Sequence, residues 1–362
     1  MRTPYLSIDL DKVEHNARTL VNLGRMHGVT IAGVTKGTLG SPEVAKAMRR
    51  GGVQWLGDSR LENIERMRNA GIRGPFLLMR SPQLSEVERT VSLAEVSLNT
   101  EYEVIHALSE AALKQGVVHN ILLMVDLGDL REGLWPEELL PLVLEVTRMR
   151  GIRILGLGTN LTDLNGTIPT PENNQRLVDL AEEVESRCDV HLEWLSAGNS
   201  SSLKLLASGR LPRRINHFRI GEGILLGRET IEREIWPGTY QDAFVLTGEI
   251  IECKRKPSVP SGERGQDAFG NVPILEDRGM MTRAIVNLGR QDLRLEGIAP
   301  QHPSLGIIGA TSDHLVLETT AAPELKVGDH VNFSPDYGAL LAAMTSPFVQ
   351  KSIRRATAVM PE

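Results

Sequence analysis

From residue 3 to about residue 227 the chain repeats one unit: a short apolar run with β character, a turn, then a longer amphipathic segment. The predicted strands are VTIAGVT (29–35), VQWLGD (53–58), PFLLM (75–79), EVSLN (95–99), NILLMVDL (120–127), IRILGLGT (152–159), VHLEWLSAG (190–198) and INHFRIG (215–221). Between them, SPEVAKAMRRGG (41–52), EYEVIHALSEAALKQG (101–116) and PENNQRLVDLAEEVESR (171–187) have helical periodicity. The first carries its own punctuation: Ser41 as N-cap, Pro42 in the first turn, Gly51 and Gly52 as a stop. Strands that are apolar almost throughout, each followed by a helix, belong to a parallel sheet covered by helices. Eight such units predict a closed (β/α)8 barrel, a TIM-like barrel over residues 1–229.

After LLGRE (225–229) the rhythm changes. Strand-like pieces such as DAFVLTGEIIECKRKPSVPSG, TRAIVNLGRQDL, SLGIIGATSDHLVLET and VGDHVNFSPDYGALL follow one another across turn residues, predicting a smaller all-β domain over 230–362. The length of 362 residues suits a barrel of roughly 250 residues with such an addition. A net charge of −6, with 40 basic against 46 acidic residues, leaves no basic footprint for nucleic acid. The N-terminus MRTPYLSIDLDK has no apolar leader and no run of 18 apolar residues occurs, so the expectation is a soluble, cytoplasmic chain without membrane contact. Cys188 and Cys253, far apart in sequence, fit a reducing compartment and offer no thiolate metal site.

In a barrel, catalytic groups gather at the C-terminal ends of the strands. Lys36 ends the first barrel strand, where an ammonium needs a partner or a chemical task. Asp126 to Arg131 follow the fifth strand, and Thr159 and Asn160 end the sixth. The seventh strand leads into SAGNSSS (196–202) and the eighth into FRIGEG (218–223). Hydroxyls and glycines at those two positions make a cradle for phosphate, with Ser200 and Gly221 as its best members. In a closed barrel the first and last strands are neighbours, so Lys36 lies beside that cradle. A lysine next to a phosphate cradle suits pyridoxal 5'-phosphate, held by its phosphate and by a Schiff base. Taken singly, Lys36 also reads as an ion-pair lysine and each loop as ordinary turn chemistry.

In these motifs the chain resembles the fold-type III pyridoxal-phosphate enzymes, the two-domain alanine racemase class, and within it ornithine racemase most. VTKGTLG is similar to the family's lysine segment, which implies Lys36 as the Schiff-base residue. DLGDLREG resembles an aspartate–glycine–arginine–glycine loop, which implies Arg131 near the cofactor's phenolic oxygen and the substrate carboxylate. GNSSS resembles the phosphate loop through Asn199 and Ser200, and FRIGEG supplies Arg219 for the pyridine nitrogen and Gly221 for the phosphate. Tyr337, in SPDYGALL, stands where the family has a tyrosine reaching the phosphate. Guanidinium is a permanent cation and only a donor, so a ring nitrogen facing Arg219 stays unprotonated, which restrains side reactions.

The resemblance implies an isomerase that interconverts L- and D-amino acids, acting as a homodimer whose β domains complete the partners' active sites. It breaks at the second proton carrier. Where the family has a tyrosine in a turn, LGRQD places Arg290, which is no base at ordinary pH. GATSDHL (309–315) offers Ser312, at the place of a decarboxylase cysteine, and His314, with an ordinary pKa of about 6.5. If that segment is a strand, Ser312 and His314 share one face and Asp313 takes the other; a half-buried strand histidine is the alternative for His314. Asn160 also replaces a family histidine. Arg290 for tyrosine makes alanine a poor substrate and ornithine or another basic amino acid the expected one, with Asp267, Asp292 and Asp313 as partners for its cation. A decarboxylase of the same fold, a non-catalytic cofactor carrier and a metal-dependent barrel lyase are the competing readings. Ser312 and Arg219 speak against the first and the β domain against the second. The third lacks HxH or HExxH spacing among nine histidines.

Overall fold

The computed structural model describes residues 2–355. The first strand, β1 (Tyr5–Asp9), leads into a helix (Leu10–Met26). The barrel strands follow: β2 (Thr30–Val34), β3 (Trp55–Asp58), β4 (Phe76–Leu78), β5 (Val96–Asn99), β6 (His119–Met124), β7 (Ile152–Gly158), β8 (Trp194–Gly198) and β9 (His217–Ile220). All eight lie inside the predicted runs or within one residue of them. Each pairs in parallel with the next, and β9 closes on β2 with Gly33 opposite Ile220. The helix after β2, Pro42–Arg50, begins as its sequence dictates: Ser41 Oγ accepts from Val44 N and Pro42 occupies the first turn. The helix Tyr102–Gln115 ends on Gly116 in the left-handed conformation, at φ 70°.

Strand parity decides what fills the barrel. Alternate residues point inward, so β8 contributes Trp194 and Ser196, and β9 contributes His217 and Arg219. Trp194 stacks on His217 (centroids 4.2 Å apart) and meets Trp55 of β3 edge-on at 4.7 Å. Strands β3 and β8 are not neighbours, so the two indoles meet across the lumen. Phe218 and Ile220, of opposite parity on β9, are fully buried on the outer face.

Two lumen or strand histidines carry no charge in the folded state. Burial pushes His217 down to about 3, helped by the Arg219 guanidinium. Burial pushes His119 down to about 4 against the opposing pull of Glu95, with Ser97 Oγ 2.9 Å from its Nε2. Unfolded, both take up protons near pH 6.5. Stability is therefore complete above about pH 6.5 and is lost as pH falls toward the folded values, by about 1.4 kcal/mol per pH unit for each histidine. Denaturant midpoints measured at pH 7 and pH 5 should show the loss, and His119→Gln should remove roughly half of this slope.

The second unit holds β10 (Phe244–Pro257), β11 (Met280–Val286), β12 (Ile298–Pro300), β13 (Gly306–Ala310), β14 (Leu315–Glu318), β15 (His330–Pro335) and β16 (Gln350–Arg354). Their order is β12-β15-β10-β11-β14-β13, with β1 antiparallel to β10 and parallel to β16. The compact units are thus Leu10–Gln241 and the remainder, β1 included, in place of a division at 229/230. Residues 230–241 stay with the barrel because Glu229 Oε1 and Oε2 accept from Ile231, Glu232 and Glu234 N–H groups and Trp236 N donates to Gly227 O.

Two local expectations change. Thr311 to His314 form the tight turn between β13 and β14, closed by Thr311 N donating to His314 O and His314 N to Thr311 Oγ1. Ser312 and His314 therefore do not share a strand face. Tyr337 begins a helix (Tyr337–Thr345), because Asp336 Oδ1 caps Ala339 N at 2.7 Å and ends the strand before it.

Candidate active site

Lys36 lies two residues beyond the tip of the first barrel strand, in a 3-10 turn (Lys36–Thr38). The turn is anchored by its neighbour: Thr35 Oγ1 donates to Asp58 Oδ2 at 2.7 Å, and Asp58 also accepts from Arg60 N and Asn63 Nδ2. Burial raises the Asp58 carboxyl pKa even against these donors. Lys36 Nζ, only partly exposed, makes no ion pair or hydrogen bond among the described residues. That removes the ion-pair reading of this lysine.

Lys36 opens into a cavity of about 280 Å³ at the C-terminal ends of the strands, shared with Arg131, Glu132, Asn160, Asp163 and Arg219. Arg219, 3% exposed, donates through Nη1 to Ser196 O (2.8 Å) and Ser196 Oγ, and through Nη2 to Thr159 O (2.7 Å). Burial pushes its pKa down to about 10, with Glu132 and Asp163 pulling it up and Arg131 down, so it remains a cation at neutral pH. Ser196 Oγ in turn lies 2.7 Å from His217 Nδ1, and the neutral imidazole accepts there.

The two loops expected to hold a phosphate lie side by side. Ser200 Oγ accepts from Gly223 N at 3.0 Å, joining the β8 and β9 loops. A side chain at Gly221 would be crowded: a Cβ there would lie 3.3 Å from Val34 Cβ, two residues before Lys36. Asn199 has a different task from the expected one. Its Oδ1 caps Ser201 N (2.7 Å) and its Nδ2 donates to Leu161 O (2.9 Å), so it ties the β8 loop to the β7 loop.

Arg131 is fully engaged. Nη2 donates to Glu132 Oε1 (2.7 Å), Nε pairs with the other Glu132 oxygen, and Nη1 reaches Asp163 Oδ2 at 3.1 Å. Asp163 also accepts from Asn160 Nδ2 at 2.9 Å. The β6 and β7 loops are locked together by Asp129, 1% exposed, which accepts from Leu164, Asn165 and Thr167 N–H groups. Burial raises the Asp129 carboxyl pKa, but these backbone donors outweigh it and hold it below the ordinary value. Gly133 supplies a backbone shape no other residue takes easily: φ is +147°, and a Cβ would lie 2.3 Å from Asp126 N. Gly133→Ala should add about 1–3 kcal/mol of local strain and, by displacing Arg131 and Glu132, lower turnover about 100-fold. Steady-state kinetics beside a thermal melt would check both.

Sequence reasoning passed over Glu132, Asp163, Asp58 and Ser196. Glu132 stood inside the quoted DLGDLREG, and its adjacency to Arg131 was the available signal. The remaining expected residues belong to the second unit. His314 Nδ1 lies 3.0 Å from Asp313 Oδ1, Ser312 is exposed, and Arg290 stacks over Phe269 (4.8 Å) while its N donates to Thr311 O (2.9 Å). Asp292 is buried, accepting from Gly289 N and Ser346 Oγ. Asp267 caps its own loop through Phe269 and Asn271 N.

A lysine and a buried arginine at one barrel mouth narrow the chemistry, and comparison with known proteins narrows the ancestry. Residues 8–228 match the family described as alanine racemase, N-terminal domain. The chain is 41% identical over 348 residues to lysine racemase of Thermotoga maritima, covering 96% of this chain and 98% of that one. The chain belongs to the alanine racemase family. Ornithine racemase of Acetoanaerobium sticklandii is 39% identical over 352 residues, covering 97% of this chain and 99% of its own. An alanine racemase structure from Clostridium difficile superposes with a TM-score of 0.75 at 20% identity, over 98% and 97% of the two chains, and shares the barrel with its additional sheet. With full-length relatives of this kind, the protein is an isomerase of the racemase class. Among the described residues no helix is long and apolar enough to cross a membrane.

Proposed function

We propose that the protein is a pyridoxal-phosphate-dependent racemase of basic amino acids, lysine or ornithine. The observation that carries this reading is Lys36: an unpaired amine in a barrel-mouth cavity, facing a buried arginine that no carboxylate touches. The residues fit the cofactor by their chemistry. Lys36 is the amine for its aldehyde, Ser200 keeps a hydroxyl hydrogen for its phosphate beside Gly221, and Arg219 is a donor-only partner for its ring nitrogen. Thr159 Oγ1, next to that arginine's carbonyl partner, is buried without a partner, as a site for a polar ligand would leave it. The two relatives supply the substrate class, being a lysine and an ornithine racemase.

Bound pyridoxal phosphate supplies an electron sink that makes the α-hydrogen of an attached amino acid acidic. Lys36 Nζ holds and returns the proton on one face. Arg131, fixed by Glu132, orients the α-carboxylate. Our candidate for proton transfer on the opposite face is His314, whose Nδ1 lies 3.0 Å from Asp313 Oδ1. Ser312 lies beside it in the same turn and Tyr337 opens the helix after β15, where they stay as candidates for proton transfer and for the phosphate. We place the enzyme in the cytoplasm as a homodimer; the free Cys188 and Cys253 and the exposed apolar Leu130, Leu164 and Ile168 on the barrel loops support this.

The test is chiral chromatography after incubation with L-lysine, L-ornithine and L-alanine, with pyridoxal phosphate present. D-lysine or D-ornithine should accumulate faster than D-alanine. Absence of any D-enantiomer would overturn the reading.

A further inference from the structure

Arg131 enters this site already paired with two carboxylates, which matters if an amino-acid carboxylate is to use it. Its contacts are unequal. Glu132 grips Nη2 and Nε as a fork, whereas Asp163 reaches only Nη1, at 3.1 Å, and is shared with Asn160 at 2.9 Å. Asp163 is the partner that gives way. Its loop is pinned by Asp129 through the backbone and its side chain by Asn160. A displaced Asp163, 38% exposed, therefore stays at the cavity with the Asn160 and Asn199 amides as donors but without a cation.

We infer that Asp163 is the residue that selects basic substrates, by exchanging its ion pair. The incoming α-carboxylate takes Arg131 Nη1 from Asp163, and the released Asp163 carboxylate takes the side-chain ammonium of lysine or ornithine. This rests on the racemase reading for the substrate class. No bond is made or broken; two ion pairs replace one, and Glu132 keeps its hold on Arg131. A neutral amino acid of the same length displaces Asp163 but leaves it without a cation. Such a substrate gives up one ion pair of the site and supplies only one in return, so it gains less than a cationic substrate. Among the described residues, Asp163 lines this cavity and Asp267, Asp292 and Asp313 of the same chain do not.

Calorimetric titration of the cofactor-loaded protein with L-lysine and L-norleucine tests the exchange. Enantiomers have equal enthalpy, so turnover adds no heat and the signal reports binding. The wild type should bind lysine at least about tenfold more tightly than norleucine, the discrimination expected of one charged hydrogen-bonded pair. Asp163→Asn should weaken lysine about 10- to 100-fold and tighten norleucine, because Arg131 Nη1 no longer has to be vacated. Asp163→Ser should move both ligands in the same directions, and a thermal melt identifies a variant that has not folded.

A merely structural Asp163 would weaken both ligands together, and that result overturns the inference. So does a wild type that binds the two within about threefold, which needs no variant to read. If D-norleucine forms as fast as D-lysine, the racemase stands and Asp163 selectivity fails. If lysine is preferred but nothing racemises, the racemase reading fails and the Asp163 ion pair stands.

Discussion

Lys36→Ala is expected to lower racemisation of lysine or ornithine by about 10²- to 10⁴-fold, the range for loss of a positioned acid/base. Two properties make this variant clean. Lys36 Nζ has no protein partner among the described residues, so its removal strands no charge. The turn that carries it is held by Thr35 and Asp58, which remain. The fold should therefore be kept, with an unchanged thermal midpoint. Borohydride reduction of the wild type with pyridoxal phosphate should attach the cofactor at Lys36, read by mass spectrometry of the peptide, and the variant should show no attachment. Equal labelling of the two proteins would show that another amine does the work, and the racemase reading would fail with it.

The second large effect falls on Arg219. Arg219→Gln keeps one amide donor for Ser196 O or Thr159 O but loses the cation and one of the two carbonyl contacts. Loss of a single preorganised charged donor costs about 10²–10³ in turnover, and that is the expected drop here. Removing the cation also lifts one of the two influences that keep His217 neutral, while burial, the larger, stays. Folding should survive, because a buried guanidinium with no carboxylate contact is held at a desolvation cost that glutamine avoids. Turnover within about tenfold of wild type would remove Arg219 from the cofactor's surroundings. Ser196→Ala, which removes one hydroxyl contact to Arg219 and one to His217 while Ser196 O remains, should give a smaller loss in kcat with little change in KM.

The barrel was legible in the sequence because its strands are buried on both faces and its helices carry local stop and start residues. Ser41, Pro42 and Gly116 act within a few residues of themselves, so reading them needs no tertiary information. Barrel order alone foretold that Lys36 and Arg219 line one cavity and that the loops of Ser200 and Gly221 are neighbours. Loop acids were not legible: Glu132 and Asp163 are ordinary surface residue types until the Asp129 clamp sets two loops side by side. Ser312 and His314 were misplaced for a similar reason. GATSDHL has a strand's composition at both ends, and only the Thr311–His314 hydrogen bonds show that the chain reverses in the middle.

Strand β1 was missed because nothing near it in sequence is its partner: Tyr5 lies opposite Thr247 on one side and Gln350 on the other. This has a consequence for how the chain is made. Strand β1 cannot complete its sheet until residues 350–354, more than three hundred positions later, have left the ribosome, since Asp9 pairs with Arg354. The barrel, Leu10–Gln241, has every pairing strand within its own span and is free to fold while synthesis continues. Nascent chains arrested before residue 350 should therefore carry a protease-resistant barrel preceded by a cleavable N-terminal segment.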